Sequence, residues 1–151
     1  SDFSIAAMEY ATSLAEMHGA EIFLLYVIEG EPNLAFPPDT KYSETIAKQN
    51  EDEARKELHK FVYWKLKELG NVNEVVRRGK AHVEIPLFAR EQGIDLIVMA
   101  THGRTGLAHV LLGSVAERVV RTSVVPVMTV KPREMQSPVI TDHDVEEELH
   151  L

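Results

Sequence analysis

The sequence predicts an α/β protein of three layers, in which a doubly wound parallel sheet lies between helices. Apolar runs of strand length alternate with helical patterns along the chain, and two of these runs are apolar without interruption. Strands that alternate with helices are joined by right-handed crossovers, which place helices on both faces of a parallel sheet. The composition, 44% hydrophobic and 26% charged, is that of a globular domain with a sizeable core.

The first part of the chain predicts a helix, a central strand and a long loop. Apolar residues recur at helical spacing over residues 4–18, and Gly19 then supplies a stop signal. The unbroken apolar run over 22–28 is typical of a strand that is covered on both faces. Three prolines in residues 29–42 argue against regular structure there and predict a long surface loop.

The middle of the chain predicts two helices with a short strand between them. Residues 43–69 place apolar side chains at steps of three and four, with charges on the other face, which indicates a long amphipathic helix. The strand follows at 72–78, and Gly79 turns the chain. Residues 81–92 have a helical pattern, in which Pro86 is expected to kink the helix or delay its start.

The last part of the chain predicts a second buried strand, a loop, a helix and a final strand. The apolar run at 95–100 predicts the strand, and a glycine-containing loop follows at 101–112. A helix is expected at 114–122 and a strand at 124–131. Pro126 suits only the beginning of that strand or an unpaired position in it.

The start of the chain lacks an element that such folds normally have. The first strand of the sheet is missing, because the chain opens at a helix start where Ser1 or Ser4 can cap and Asp2 favours the positive end. We therefore expect a sheet of five strands whose first strand is absent from this chain, and a sequence that extends upstream of Ser1.

Charge divides the chain into a domain at 1–132 and an acidic C-terminal tail at 133–151. The formal net charge is −8, and the tail, with six acids and one base, accounts for −5 of it. A tail of this composition is most often a solvated extension, although residues 138–141 can form a short added strand. No basic cluster of the size that duplex binding needs is present, so nucleic acid is not an expected partner.

The residue types predict a cytoplasmic protein. The sequence has no cysteine, which excludes a disulfide framework, thiol catalysis and thiolate metal sites. No apolar run approaches the roughly 18 residues that a membrane span needs. Neither a membrane partner nor a secretory leader is expected.

One segment combines the features of a phosphate site. A buried strand ends at Met99 and Ala100, a loop follows, and Gly113 and Ser114 open a helix. Gly113 lets the backbone approach a ligand, the free amides at the helix start point outward, and the macrodipole favours an anion there. Ligands of open parallel sheets bind in the crevice at the carboxyl ends of the strands, from which this loop leaves.

The residues by themselves leave a second interpretation of this segment open. A strand, a loop and a Gly-Ser pair before a helix also form an ordinary turn of an α/β unit, in which Ser114 is only a helix cap. The chain contains neither Gly-Lys-Ser/Thr nor Gly-x-Gly-x-x-Gly. A Walker A loop and a dinucleotide fingerprint are therefore excluded.

Three runs of the sequence resemble the universal stress protein family. They lie at 93–106, 111–120 and 125–127, and the resemblance covers nearly all of residues 1–132. It implies a Rossmann-like fold similar to that of the adenine nucleotide alpha hydrolases. It also implies that the nucleotide-contacting Asp of the family lies just upstream of residue 1, so that role is not assigned to Asp2.

The resemblance extends to the motif of the ATP-binding branch of the family. That branch is known by Gly-x-x-Gly, nine residues, and then Gly-Ser or Gly-Thr. Gly103 matches the second glycine, and Gly113 with Ser114 ends the motif. Ala100 stands where the first glycine belongs, and its methyl can crowd the ribose or phosphate and lower the affinity.

The resemblance implies an adenine nucleotide site. Apolar surface from Val27 and Met99 would bracket the adenine, backbone groups at Gly79 would reach the ring edge, and His102 and Arg104 would lie beside the phosphates. The expected nucleotide-binding residues are Val27, Gly79, Met99, Ala100, His102, Gly103, Arg104, Gly113, Ser114 and Val115. The expected ligand is ATP, with AMP or ADP as alternatives, and magnesium or manganese would be carried by the phosphates.

The resemblance implies an ATP-binding regulatory protein of the stress response, in which the nucleotide controls a dimeric switch. A homodimer is expected through the last strand at Val125–Val130, which is apolar at alternate positions and lies at a sheet edge. No positioned general base is found, so at most slow ATP hydrolysis is expected. Two alternatives stay open: a nucleotide-free dimerisation and adaptor module, and a nucleotide-transferring enzyme of related fold.

Overall fold

The computed structural model describes residues 2–30, 41–66, 72–101 and 112–131. These residues form an α/β fold, and the predicted class is confirmed. Helices and strands alternate as α1 Asp2–His18, β1 Ile22–Ile28, α2 Lys41–Leu66, β2 Val72–Arg78, α3 Ala81–Glu91, β3 Ile97–Ala100, α4 Ser114–Thr122 and β4 Val127–Val130. The acidic tail at 133–151 and most of the predicted loop at 29–42 lie outside the described residues. Within the described part of the chain, no helix is both long and apolar enough to cross a membrane.

The four described strands form two parallel pairs. β1 pairs with β2 from Ile22 opposite Val72 to Ile28 opposite Arg78, and β3 pairs with β4. Helix α1 contacts both β1 and β3, although these two strands are not hydrogen-bonded to each other. The two pairs are therefore not joined by hydrogen bonds within the described residues, and the first strand expected from the sequence stays a prediction.

A buried cluster fixes α4 on β3. Its centre is formed by Ala89 of α3, Ile97 of β3 and Val119 of α4, which is fully buried at 0% exposure. Met99 and Val115 pack against this centre. Complete burial of one valine contributes about 1.5–3 kcal/mol, so the cluster holds α4 firmly over the strand from which its connecting loop leaves.

The predicted end of α1 agrees with the structure, whereas Pro86 does not delay the start of α3. Gly19 has a positive φ of 61°, which a glycine adopts easily, and α1 ends just before it. Pro86 lies inside α3 but does not delay its start, contrary to one expectation. The first turn is already closed, because the Val83 and Glu84 N–H groups donate to the Lys80 carbonyl at 2.9 and 3.0 Å.

The strands are shorter or less covered than predicted. β3 begins at Ile97 and β4 at Val127, two and three residues later than expected. Pro126 precedes β4, as its missing N–H requires. β1 is half-buried along its whole length, whereas a strand covered on both faces was expected. Its pairing with β2 alone leaves one edge of β1 without a neighbour among the described strands.

Candidate functional site

The carboxyl end of β3 is bonded to two other elements at Thr101. The Thr101 N–H donates to the Val130 carbonyl at 2.9 Å, and the Thr101 carbonyl accepts from the Gly113 N–H at 2.7 Å. Thr101 is itself buried. The end of β3, the end of β4 and the residue before α4 are therefore held together at one point, on the edge of the sheet where ligands of parallel sheets bind.

The N-terminus of α4 lies at this point, and no side chain of the described residues accepts a hydrogen bond from its first turn. Gly113 is the N-cap residue in an extended conformation, and it makes no side-chain cap bond. The first bond that closes the helix runs from the Glu117 N–H to the Gly113 carbonyl at 2.9 Å. The N–H groups of Ser114, Val115 and Ala116 precede that bond and have no partner within the helix.

Ser114 adds a hydroxyl to the same position. Its side chain is exposed, and it makes no hydrogen bond to another described residue. It can therefore donate to an anion that approaches the helix start, which the helix dipole also favours. The interpretation of Ser114 as the cap of α4 is wrong, since the cap position is Gly113.

One N–H group at the N-terminus of α3 is bonded to a carboxylate of the chain. The Ala81 N–H donates to Glu29 Oε1 at 2.7 Å. One turn away, the Gly79 N–H donates to the Ile28 carbonyl at 3.1 Å. Gly79 has a φ of 149°, and a Cβ there would meet the Glu84 carboxylate at 2.8 Å. The backbone conformation at position 79 therefore requires glycine. Because the Gly79 N–H is already bonded, its carbonyl is the backbone group that can bind a ligand.

The two predicted adenine residues lie on different strand pairs. Val27 is half-buried near the end of β1, opposite Arg77 of β2. Met99 is half-buried on β3 and packs against the cluster that also holds Val115. The structure thus brings Met99 and Val115 together beneath the start of α4, and it leaves Val27 outside that cluster.

Ala100, the last residue of β3, lies opposite Val130. Successive side chains of a strand point to opposite faces, so the Ala100 methyl points away from the face on which Met99 contacts the cluster. Since α4 belongs to that cluster, the methyl lies on the face away from α4. His102, Gly103 and Arg104 lie outside the described residues.

One pair of charges is bonded within α4. Glu117 in the first turn accepts from Arg121, four residues further on, at 2.5 Å. Among the described residues, no group of three His, Asp or Glu side chains could hold a metal ion. A metal at this site would depend on the phosphates of a ligand for most of its oxygen partners.

A surface cavity of about 550 Å³ lies elsewhere, between α2 and β2. Its lining includes Leu58, His59 and Glu74, and the His59 and Glu74 side chains are 2.9 Å apart. No predicted site residue takes part in this cavity.

Sequence reasoning missed Glu29. Its partner Ala81 is 52 residues away, and no local pattern marks a carboxylate that caps a distant helix. The only sequence signal is weak: an acid directly follows a buried strand and can therefore reach the carboxyl edge of the sheet.

These features define a class of protein: an α/β domain in which a helix begins at the carboxyl end of a parallel strand, with no cap from the side chains of the described residues. Comparison with known sequences identifies the family within that class. The profile of the Universal stress protein family matches residues 1–131. The chain belongs to this family.

Individual relatives agree with this assignment. The chain is 35% identical over 134 residues to Universal stress protein MJ0531 of Methanocaldococcus jannaschii, a match that covers 87% of this chain and 76% of the relative. The solved structure of hypothetical protein MJ0577 superposes with a TM-score of 0.73 at 28% identity, over 88% of this chain and 92% of that one. A universal stress protein solved in complex with cAMP superposes with a TM-score of 0.54 at 25% identity, over 87% and 89%.

Proposed function

We propose that this protein is an adenine nucleotide-binding regulatory protein, with ATP as its principal ligand. The observation that carries the proposal is the N-terminus of α4, which no side chain of the described residues caps and which the bond between Gly113 and Thr101 holds at the end of β3. Such a terminus favours an anion through its free N–H groups and its dipole. A relative of similar fold has been solved with cAMP, which is also an adenine nucleotide.

The proposed ligand would extend from α4 toward β1. The N–H groups of Ser114 and Val115 and the Ser114 hydroxyl would bind the phosphates. Met99 and Val27 would contact the adenine, and the Gly79 carbonyl would accept from its amino group. Ala100 at the end of β3 and the residues His102, Gly103 and Arg104 that follow it in the sequence complete the proposed set, and magnesium or manganese would arrive with the phosphates.

A thermal or chemical unfolding experiment with ATP and magnesium tests this proposal. Ligand at about 100 times its dissociation constant stabilises the folded state by roughly 2.7 kcal/mol. We expect a stabilisation of that size with ATP and none with the same concentration of a nucleotide-free buffer salt. An unfolding curve that ATP leaves unchanged would support the alternative function, a nucleotide-free adaptor module. The substitution of Ala100 for the first motif glycine favours that alternative.

We further propose a homodimer through Val125–Val130, whose arrangement the nucleotide would alter. Within the described residues, β4 pairs only with β3, and Met128 on it is 36% exposed. An apolar edge strand without a partner invites pairing with a second copy. The variant Met128→Glu should elute as a monomer in size-exclusion chromatography where the wild type elutes as a dimer. Dimers that persist in the variant would place the contact on another surface.

The proposed role is regulation within the cytoplasm in the stress response. The sequence without cysteine supports that location. We propose binding rather than turnover, with at most slow hydrolysis, and a single domain at 1–132 followed by the acidic tail at 133–151. Rapid turnover of ATP with a defined acceptor would instead support a nucleotide-transferring enzyme.

A further inference from the structure

Two hydrogen bonds join the carboxyl end of β1 to the start of α3. The backbone bond runs from the Gly79 N–H to the Ile28 carbonyl at 3.1 Å. The side-chain bond runs from the Ala81 N–H to Glu29 Oε1 at 2.7 Å. We call these two bonds the clasp. Only the second can be removed by changing a side chain.

The clasp lies directly beside the two residues proposed to face the adenine from this strand pair. Val27 is two residues before Glu29, and Gly79 is two residues before Ala81. The distance between Val27 and the Gly79 carbonyl therefore depends on how firmly the chain segments after β1 and β2 are held together. Gly79 has no side chain of its own to hold the turn, and Glu84 already fills the adjoining space.

We infer that Glu29 is a positioning residue for the adenine half of the nucleotide, an inference that rests on the proposed function. Its carboxylate takes one of the free N–H groups at the start of α3, as a helix-capping side chain does. Without it, the first turn of α3 and the Gly79 carbonyl lose their side-chain connection to β1. The phosphates of the proposed nucleotide would bind at α4, which follows the other strand pair, so we expect their binding not to depend on this bond.

The same strand pair supplies a matched control at its opposite end. The Asn73 side-chain amide donates to Glu21 Oε1 at 2.6 Å, where β1 and β2 begin. Glu21 and Glu29 are both exposed glutamates that flank β1, and each accepts one hydrogen bond. The donor to Glu21 is Asn73 of β2, and the donor to Glu29 is Ala81 at the start of α3. They differ in their distance from the proposed adenine position, because only Glu29 lies at the carboxyl edge of the sheet.

The experiment is calorimetric titration of four proteins with three ligands. The proteins are the wild type, Glu29→Ala, Glu29→Gln and Glu21→Ala; the ligands are adenosine, ATP with magnesium, and inorganic tripolyphosphate. We expect Glu29→Ala to bind adenosine and ATP about fivefold more weakly, by the same factor for both. Glu29→Gln keeps an acceptor oxygen and should restore wild-type affinity. Glu21→Ala should bind all three ligands as the wild type does, and tripolyphosphate should not distinguish Glu29→Ala from the wild type.

Three results would overturn the inference alone. These are unchanged adenosine binding in Glu29→Ala, an equal loss in Glu21→Ala, and an equal loss of tripolyphosphate binding, which would mark a general loosening of the fold. A wild-type chain that binds neither ATP nor adenosine would overturn the proposed function, and the inference with it.

Discussion

The N-termini of α3 and α4 both follow the carboxyl end of a parallel strand, yet they are satisfied in different ways. At α3, the Ala81 N–H donates to the Glu29 carboxylate. At α4, Gly113 occupies the cap position and no described side chain accepts from the first turn. The two helices thus present the same backbone groups: at α3 one of them is bonded to an anion of the chain, whereas at α4 none is bonded to a side chain of the described residues.

The difference shows why fold alone does not locate a phosphate site. Every helix that follows a strand in such a sheet brings free N–H groups and a positive dipole to the carboxyl edge. At α3 that capacity serves stability, because a side chain of the protein supplies the negative charge. At α4 none of the described side chains supplies that charge, and an anionic ligand can do so.

The largest expected effect comes from giving α4 its own carboxylate. The backbone at Gly113 has φ −65° and ψ 152°, which any residue adopts, so Gly113→Asp can cap the helix as Glu29 caps α3. A carboxylate there repels phosphate, and we expect ATP affinity to fall on the order of 100-fold by calorimetric titration. Gly113→Asn is the control, since it caps without charge and should lose much less. Unchanged ATP binding in Gly113→Asp would contradict a phosphate site at α4.

Removal of the Ser114 hydroxyl should have the next largest effect. A hydrogen bond to a charged group contributes about 1.5–3 kcal/mol, so Ser114→Ala is expected to weaken ATP about tenfold or more. Adenosine affinity should be unchanged because the hydroxyl lies at the phosphate end. The control is Ser13→Ala on α1, whose hydroxyl donates to the Glu9 carbonyl. A loss of adenosine binding in Ser114→Ala would mean that the nucleotide lies in another orientation.

For the free energy of unfolding, the substitution at the start of α3 should have a larger effect than the substitution at the start of α4. Glu29→Ala removes the side-chain bond at α3, and we expect a loss of about 1 kcal/mol in the free energy of unfolding measured with urea. Ser114→Ala removes no bond between described residues and should change that free energy by less than about half as much. Equal losses in the two variants would show that the α4 terminus is capped within the chain.

The smallest effect is expected at Ala100. Its methyl lies on the face of β3 away from α4, so Ala100→Gly should change ATP affinity by less than about threefold in calorimetric titration. The same variant should be less stable by roughly 0.5–1 kcal/mol, because glycine weakens a strand. An affinity gain of tenfold or more would show that the methyl limits access to the open terminus.

Much of this arrangement could be predicted from local patterns. The bounds of β1, β2 and α4 agree with those predicted. β1 was marked by its apolar run and α4 by its Gly-Ser start, because burial and helix initiation act over a few residues. Contacts between distant segments could not be predicted. The bond from Ala81 to Glu29 spans 52 residues, and the division into two strand pairs depends on which strand lies beside β1.

The site shows the same limit. Gly113 and Ser114 were predicted from the sequence beside a helix start, and they lie there. The Glu84 side chain occupies the space next to Gly79, and the Ala100 methyl points away from α4. Both facts depend on packing between elements, which the spacing of residues in the sequence does not predict. The contribution of His102, Gly103 and Arg104 stays a prediction, since they lie outside the described residues.

The most direct test is an amide chemical-shift titration of the ¹⁵N-labelled protein with ATP and magnesium. The N–H resonances of Ser114, Val115 and Ala116 should shift together and saturate with one dissociation constant, while the Ala81 N–H, bonded to Glu29, moves much less. Resonances of Ser114 to Ala116 that stay in place while ATP binds elsewhere would contradict a phosphate site at the start of α4.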